Sequence, residues 1–195
     1  MSKKKLSDLT RQIRSCKRCD HQLPFAPNPI VVPSRSARLL IIGQAPGTKV
    51  HHSCIPWNDA SGDRLRDWMG LSRDIFYDNN KIAIMPMGFC YPGKGKSGDL
   101  PPRSECAPQW HPPLLELMPQ IELVILVGMY AQKYYLNDFC KSTLTETVRA
   151  WQSYAPQYFP IPHPSPRNRL WLKRNVWFEH DVVPVLKQHV KTLTS

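Results

Sequence analysis

Three apolar runs bounded by turn residues stand out along the chain: Arg38 to Gly43, Lys81 to Met87 and Glu122 to Gly128. Their Leu, Ile, Val, Ala and Met positions are almost unbroken, the pattern of strands buried on both faces rather than of strands with one wet side. Between the runs, apolar residues recur at helical spacing near Ser61 to Met69, Ser104 to Met118 and Met129 to Phe139. Leu6, Leu9, Ile13 and Cys16 do the same over residues 6 to 19. Tyr158 to Ile161 predicts a fourth strand, and Trp177 to Val190 a closing helix with Leu170 to Val176 leading into it. Strand and helix in alternation imply a parallel sheet with right-handed crossovers. The expected architecture is α/β, a three-layer α/β/α single domain over residues 1–195 with a central four-stranded parallel sheet and a frayed segment at 1–5. No internal repeat or low-complexity tract interrupts it.

Two loops carry the candidate chemistry. Gly43-Gln44-Ala45-Pro46-Gly47 follows the first apolar run, and His163-Pro164-Ser165-Pro166-Arg167-Asn168 follows the fourth predicted strand. Ligands of open parallel sheets sit beyond the carboxyl ends of the strands, so these distant loops can meet over one pocket. Proline fixes φ and glycine permits close approach, so both loops offer rigid backbone surface to a phosphate or a base edge.

Charge narrows the partner. Lys plus Arg number 26 against 15 Asp plus Glu, a formal net charge of +11, which favours a polyanion such as nucleic acid through phosphate neutralisation and counterion release. No run approaches the ~18 apolar residues of a membrane span. Met1-Ser2-Lys3-Lys4-Lys5 leads into a polar amphipathic stretch, not the apolar core of a signal peptide, so a cytoplasmic location is expected. There, six cysteines argue for reduced thiols rather than disulfides, and metal binding becomes the alternative. Cys16 and Cys19 form a Cys-x-x-Cys pair; Cys90 and Cys106 bracket a Pro/Gly-rich segment with little apolar content to hold it. Four thiolates suit either an iron–sulfur cluster or tetrahedral zinc, and spacing does not separate the two. Cys54 and Cys140 read as unrelated thiols.

The two loops, the four cysteines and the order of elements together resemble the uracil-DNA glycosylase superfamily, most closely its iron–sulfur branches, over roughly residues 10 to 190. The first loop is similar to the family's first signature, with glutamine at its second position; the second is similar to the histidine-bearing loop that enters the DNA minor groove. The resemblance implies a monofunctional base-excision enzyme that flips uracil or another deaminated base out of DNA and cleaves its N-glycosidic bond with water. A 4Fe-4S cluster on Cys16, Cys19, Cys90 and Cys106 is implied, with zinc as the alternative, and DNA containing a deaminated base as partner of a monomer. His163 would donate to the departing base's oxygen, Trp57 would stack on the base, and Gln44 and Ala45 would line its pocket. Asp59 would orient the water, because Ala45 stands where the best-studied members carry an aspartate. Asp59 is also a fitting N-cap for the helix near Ser61. Pro46, Gly47, Ser165, Pro166, Arg167 and Asn168 would contact the strand, with Lys94, Lys96 and Arg103 along the backbone. Pro86 occupies the position of the family's uracil-reading asparagine and has neither a side-chain amide nor an N–H, which opens the substrate to hypoxanthine or xanthine. No lysine is expected to form a Schiff base with the sugar. The alternative is a catalytically weak DNA-damage-binding member of the same fold.

Overall fold

The computed structural model describes residues 2–96 and 98–195. In chain order it runs α1 (Ser2–Arg14), β1 (Leu39–Ile42), α2 (Thr48–Ser53), α3 (Ala60–Met69), α4 (Arg73–Phe76), β2 (Ile82–Ile84), β3 (Lys94–Gly95) and β4 (Gly98–Asp99). There follow α5 (Cys106–Glu116), β5 (Leu123–Val127), α6 (Met129–Leu136), α7 (Leu144–Arg149), β6 (Tyr158–Ile161), α8 (Arg169–Arg174) and α9 (Val183–Thr194). Four strands form an all-parallel sheet in the order β2-β1-β5-β6, as the sequence predicts; β3 and β4 make a separate antiparallel hairpin.

Every residue of β1, β2 and β5 is buried, which explains their unbroken apolar sequence. Alternation splits them between two layers. Leu39, Ile41, Ile82, Ile84, Leu123 and Ile125 pack against α3 and α9 through Leu65, Trp68, Leu186 and Val190. Leu40, Ile42, Ala83, Val124 and Leu126 face the opposite way, onto α1, α5 and α6 through Ile13, Leu114 and Ala131. β6 tolerates Pro160 because it lies at the edge of the sheet.

The departures from expectation have physical causes. α1 begins at Ser2 and ends at Arg14, not at 6 and 19, because its lysine-rich first turn carries no apolar signal and Cys16 and Cys19 lie in turns beyond it. α2, α4 and α7 span six, four and six residues, too few turns to show a periodicity. The helix predicted from Trp177 starts as a single π turn, Phe178–Val182, and becomes regular at Val183, next to Pro184 with its missing N–H. Met1 lies outside the described residues. Among the described residues, no helix is long and apolar enough to cross a membrane.

From β1 the chain moves outward to β2, and from β5 it moves the other way to β6. The strand order reverses between β1 and β5, and a crevice opens there beyond their carboxyl ends.

Candidate active site at the carboxyl ends of the strands

A cavity of about 390 Å³ occupies that crevice. The first loop contributes Gly43 to Gly47, the segment before α3 contributes Trp57 and Asp59, and the histidine loop contributes His163, Ser165, Pro166 and Arg167. Of the DNA- or base-directed residues expected from the sequence, Gln44, Ala45, Pro46, Gly47, Trp57, Asp59, His163, Ser165, Pro166 and Arg167 line this one cavity, whereas Asn168, Lys94, Lys96 and Arg103 do not. The Asn168 side chain instead donates from Nδ2 to the His163 carbonyl at 2.7 Å and braces the loop. Asn79 and Asn80 line a different depression, beside α1.

Trp57 is held in an unusual backbone conformation, with φ at +58°. A bulky residue persists there only when its surroundings fix it. Its indole lies against Gly43, where an added Cβ would stand 2.7 Å from Cζ2, and its carbonyl oxygen lies 1.7 Å from where a Cβ on Gly62 would be. Both positions therefore require glycine. The buried Arg66 donates to the same carbonyl at 3.2 Å and to Asp63 at 2.6 Å. Trp57 is thereby set 5.7 Å from the His163 ring, at 37° to it.

His163 Nδ1 accepts the Ser165 backbone N–H at 3.2 Å. Burial pushes the imidazole below its ordinary pKa, with the Asp59 charge working against that shift. The ring is accordingly neutral at neutral pH, and with Nδ1 accepting, its proton sits on Nε2. Asp59 caps α3: Oδ1 accepts the Gly62 N–H at 2.9 Å. Both roles weighed for Asp59 coincide in position, since the capping carboxylate also lines the cavity.

Gln44 is less available than expected. Its Nε2 donates to the Leu100 carbonyl at 3.0 Å, tying the chain after the β3–β4 hairpin to the cavity wall. The hairpin brings in Asp99, which sequence reasoning missed; desolvation raises its carboxyl pKa while Arg167 and Lys94 lower it. Lys49 of α2, which the sequence did not single out, also lines the cavity. Neither carries a motif; only folding of the hairpin and the short helix reveals them. Pro86 forms part of the wall as anticipated, and its carbonyl accepts from His111 Nε2 at 3.1 Å.

A second cavity is lined by Cys16, Cys19, Cys90 and Cys106 together. Cys54 and Cys140 do not line it. Burial pushes the Cys90 thiol up to about 11 and Cys106 up to about 12, so neither ionises at neutral pH without a cation beside it. Arg103, expected along DNA, sits here instead, bonded to Gln22 and Glu105, and its buried Nε has no hydrogen-bond partner among the described residues. A donor set of four sulfurs with an orphaned cationic N–H on the same lining fits an anionic thiolate-bound group. As the side chains stand, no three His, Cys, Asp or Glu among the described residues converge closely enough to hold a single metal ion.

The sequence profile of the Uracil DNA glycosylase superfamily matches residues 29–187. The chain belongs to the uracil DNA glycosylase superfamily. The match runs from the segment before β1 into α9 and so includes both loops of the cavity. A protein from Methanosarcina acetivorans, provisionally described as a uracil DNA glycosylase and solved in solution by NMR, is similar at 16% identity with a TM-score of 0.46. The similarity covers 82% of this chain and 94% of that one.

Proposed function

We propose that this superfamily member is a monofunctional DNA glycosylase that removes uracil or another deaminated base by flipping it into the cavity between Trp57 and His163. The observation that carries the reading is the pairing of a fixed aromatic face with a neutral imidazole whose proton is on Nε2, in a cavity of about 390 Å³. Breaking the N-glycosidic bond develops positive charge on the sugar and negative charge on the departing base. A preorganised neutral donor stabilises the base oxygen as that charge appears, without paying to reorganise water. Trp57 offers a π-face for the extruded base. Asp59 supplies a carboxylate in the cavity lining whose charge is felt at His163 and orients the attacking water, while its other task as helix cap keeps it rigid. Gln44 acts through the hairpin it anchors. Ser165, Pro166 and Arg167 face the strand at the mouth of the cavity. With Pro86 in the wall, base choice rests on backbone groups and shape rather than on an asparagine amide.

We further propose that the four thiols hold an iron–sulfur cluster, in preference to zinc. Four sulfurs on one cavity lining, with an unpartnered Arg103 Nε beside them among the described residues, support a polynuclear thiolate-bound anion. Such a group would supply cross-linking of the α1 exit to the loop around the hairpin.

A duplex carrying one uracil, hypoxanthine or xanthine tests the activity. The expected result is a strand break only after alkali, and His163→Ala slowing base release by on the order of 10²-fold or more. Borohydride should trap no protein–DNA adduct, although Lys49 lines the cavity. A second reading, a catalytically weak damage binder, is favoured by the inert Ala45 and Pro86 in the lining; tight binding to modified duplexes with no base released from any of them would establish it instead.

A further inference from the structure

Beside the cavity lies a group of rings that the proposed reaction does not use. Phe25, from the segment after α1, is 44% exposed. Its ring is 5.1 Å from His51 at an interplanar angle of 28°, and 6.0 Å from Tyr91 at 24°. His52, also exposed, stands 5.5 Å from Phe25 and edge-on to His51 at 5.2 Å. We propose that this aromatic ledge is a stacking subsite for an unpaired base of the DNA strand next to the nucleotide held in the cavity. The inference rests on the reading of DNA as the substrate and extends it to the strand beyond the flipped base.

Three observations support that occupant. The ledge is continuous with the cavity, because α2 carries Lys49 and Val50 into the cavity lining and His51 and His52 onto the ledge within four consecutive residues. Tyr91 lies in the segment that follows the carboxyl end of β2 and meets both Phe25 and His51 of α2. Phe25 stacks on both His51 and Tyr91 while the other ring pairs are tilted or edge-on, and it still leaves much of its surface open to solvent instead of filling a gap. An exposed phenylalanine alone signifies little; one set in a cluster of rings beside a cavity marks a contact surface. The charge also fits. Burial and the neighbouring His52 push the His51 pKa down, leaving a neutral ring against Phe25, while Lys49, two residues before His51, and Lys94, three after Tyr91, are exposed in a chain of net charge +11. A π-face flanked by cations is the arrangement that holds unpaired strands without reading sequence. Bases paired and stacked in a duplex present no free face, so the ledge engages DNA that is single-stranded or locally opened.

Fluorescence anisotropy at fixed salt tests this, with the full-length protein and a labelled oligothymidylate free of modified bases. Phe25→Ala and Phe25→Leu should each weaken binding by about tenfold, and Phe25→Trp should bind within about twofold of the wild type. Leucine restores apolar packing but not a π-face, so a merely structural role would leave Phe25→Leu bound as tightly as Phe25→Trp. That result would overturn the proposal, as would unchanged affinity in Phe25→Ala. The readout needs no base release: a failed glycosylase assay with Phe25-dependent binding leaves the ledge standing, and normal base release with Phe25-independent binding removes the ledge alone.

Discussion

The carboxylate of Asp59 closes the first turn of α3 and lines the cavity at once, so deleting it confounds two effects. Asparagine separates them. Asn and Asp cap helices about equally, whereas alanine costs roughly 1 kcal/mol. Asp59→Asn should therefore unfold within about 0.5 kcal/mol of the wild type in urea, and Asp59→Ala about 1 kcal/mol earlier. If Asp59 orients the water, both variants lose base release, by roughly 10²-fold, although only one is destabilised. Full activity in Asp59→Asn would reduce the residue to a cap. Trp57 is likewise costly to place: its left-handed backbone is held through Gly43, Gly62 and Arg66, of which only Gly43 lines the cavity.

At the level of elements, α5 shows how the cavity wall is supported from behind. Pro112 and Pro113 lie inside this helix and remove two backbone donors, yet it keeps its place against the sheet. On the α5–α6 side of the sheet His111 accepts from the Tyr135 hydroxyl at Nδ1 (2.6 Å) and donates from Nε2 to the Pro86 carbonyl (3.1 Å), buried and stacked on Phe89. Burial pushes its pKa down to about 4, the Pro86 bond opposing the shift. The unfolded chain takes up that proton near pH 6.5, so between there and pH 4 the unfolded state binds more protons and stability falls as pH drops. The loss reaches about 3 kcal/mol at pH 4 and is absent above pH ~7. Urea midpoints at pH 7.5, 5.5 and 4.5 should trace it. His111→Phe should flatten part of the slope, the remainder coming from His163 and His51, which burial shifts the same way. At neutral pH that variant should cost about 2 kcal/mol, because the Tyr135 hydroxyl and Pro86 carbonyl lose their partner. Nothing in the sequence singles out His111 among seven histidines. The long elements were legible because buried strands and amphipathic helices must repeat; a buried hydrogen-bonding pair, a six-residue helix and a two-residue strand impose no period.

Across the whole molecule, the parts of the site that could be read in advance are those fixed by loop chemistry: the Gly43 and His163 loops converge because the sheet is parallel and both leave carboxyl ends. Asp99 and the Gln44–Leu100 tie were not legible, since both depend on how the segment between Cys90 and Cys106 folds back over the crevice, and Lys49 was not because it sits on the six-residue α2. That segment also couples the two cavities. Cys90 and Cys106 bound it at the thiol cavity, and its middle, the β3–β4 hairpin and Leu100, meets Gln44. The apolar layers on either face of the sheet contain none of the four thiols among their buried residues. Cys19→Ser should therefore leave the far-ultraviolet circular dichroism of the sheet and helices intact while loosening the hairpin. If an iron–sulfur cluster is held there, anaerobically purified protein should be brown and carry iron and sulfide, and Cys19→Ser should be colourless. Base release in that variant should slow by on the order of tenfold, since a hairpin displaced by about 1 Å misplaces groups at the cavity. Colourless wild-type protein containing stoichiometric zinc would assign the thiols to a single ion, and metal-free protein with unaltered base release would leave the hairpin held by Gln44 and its own turn alone.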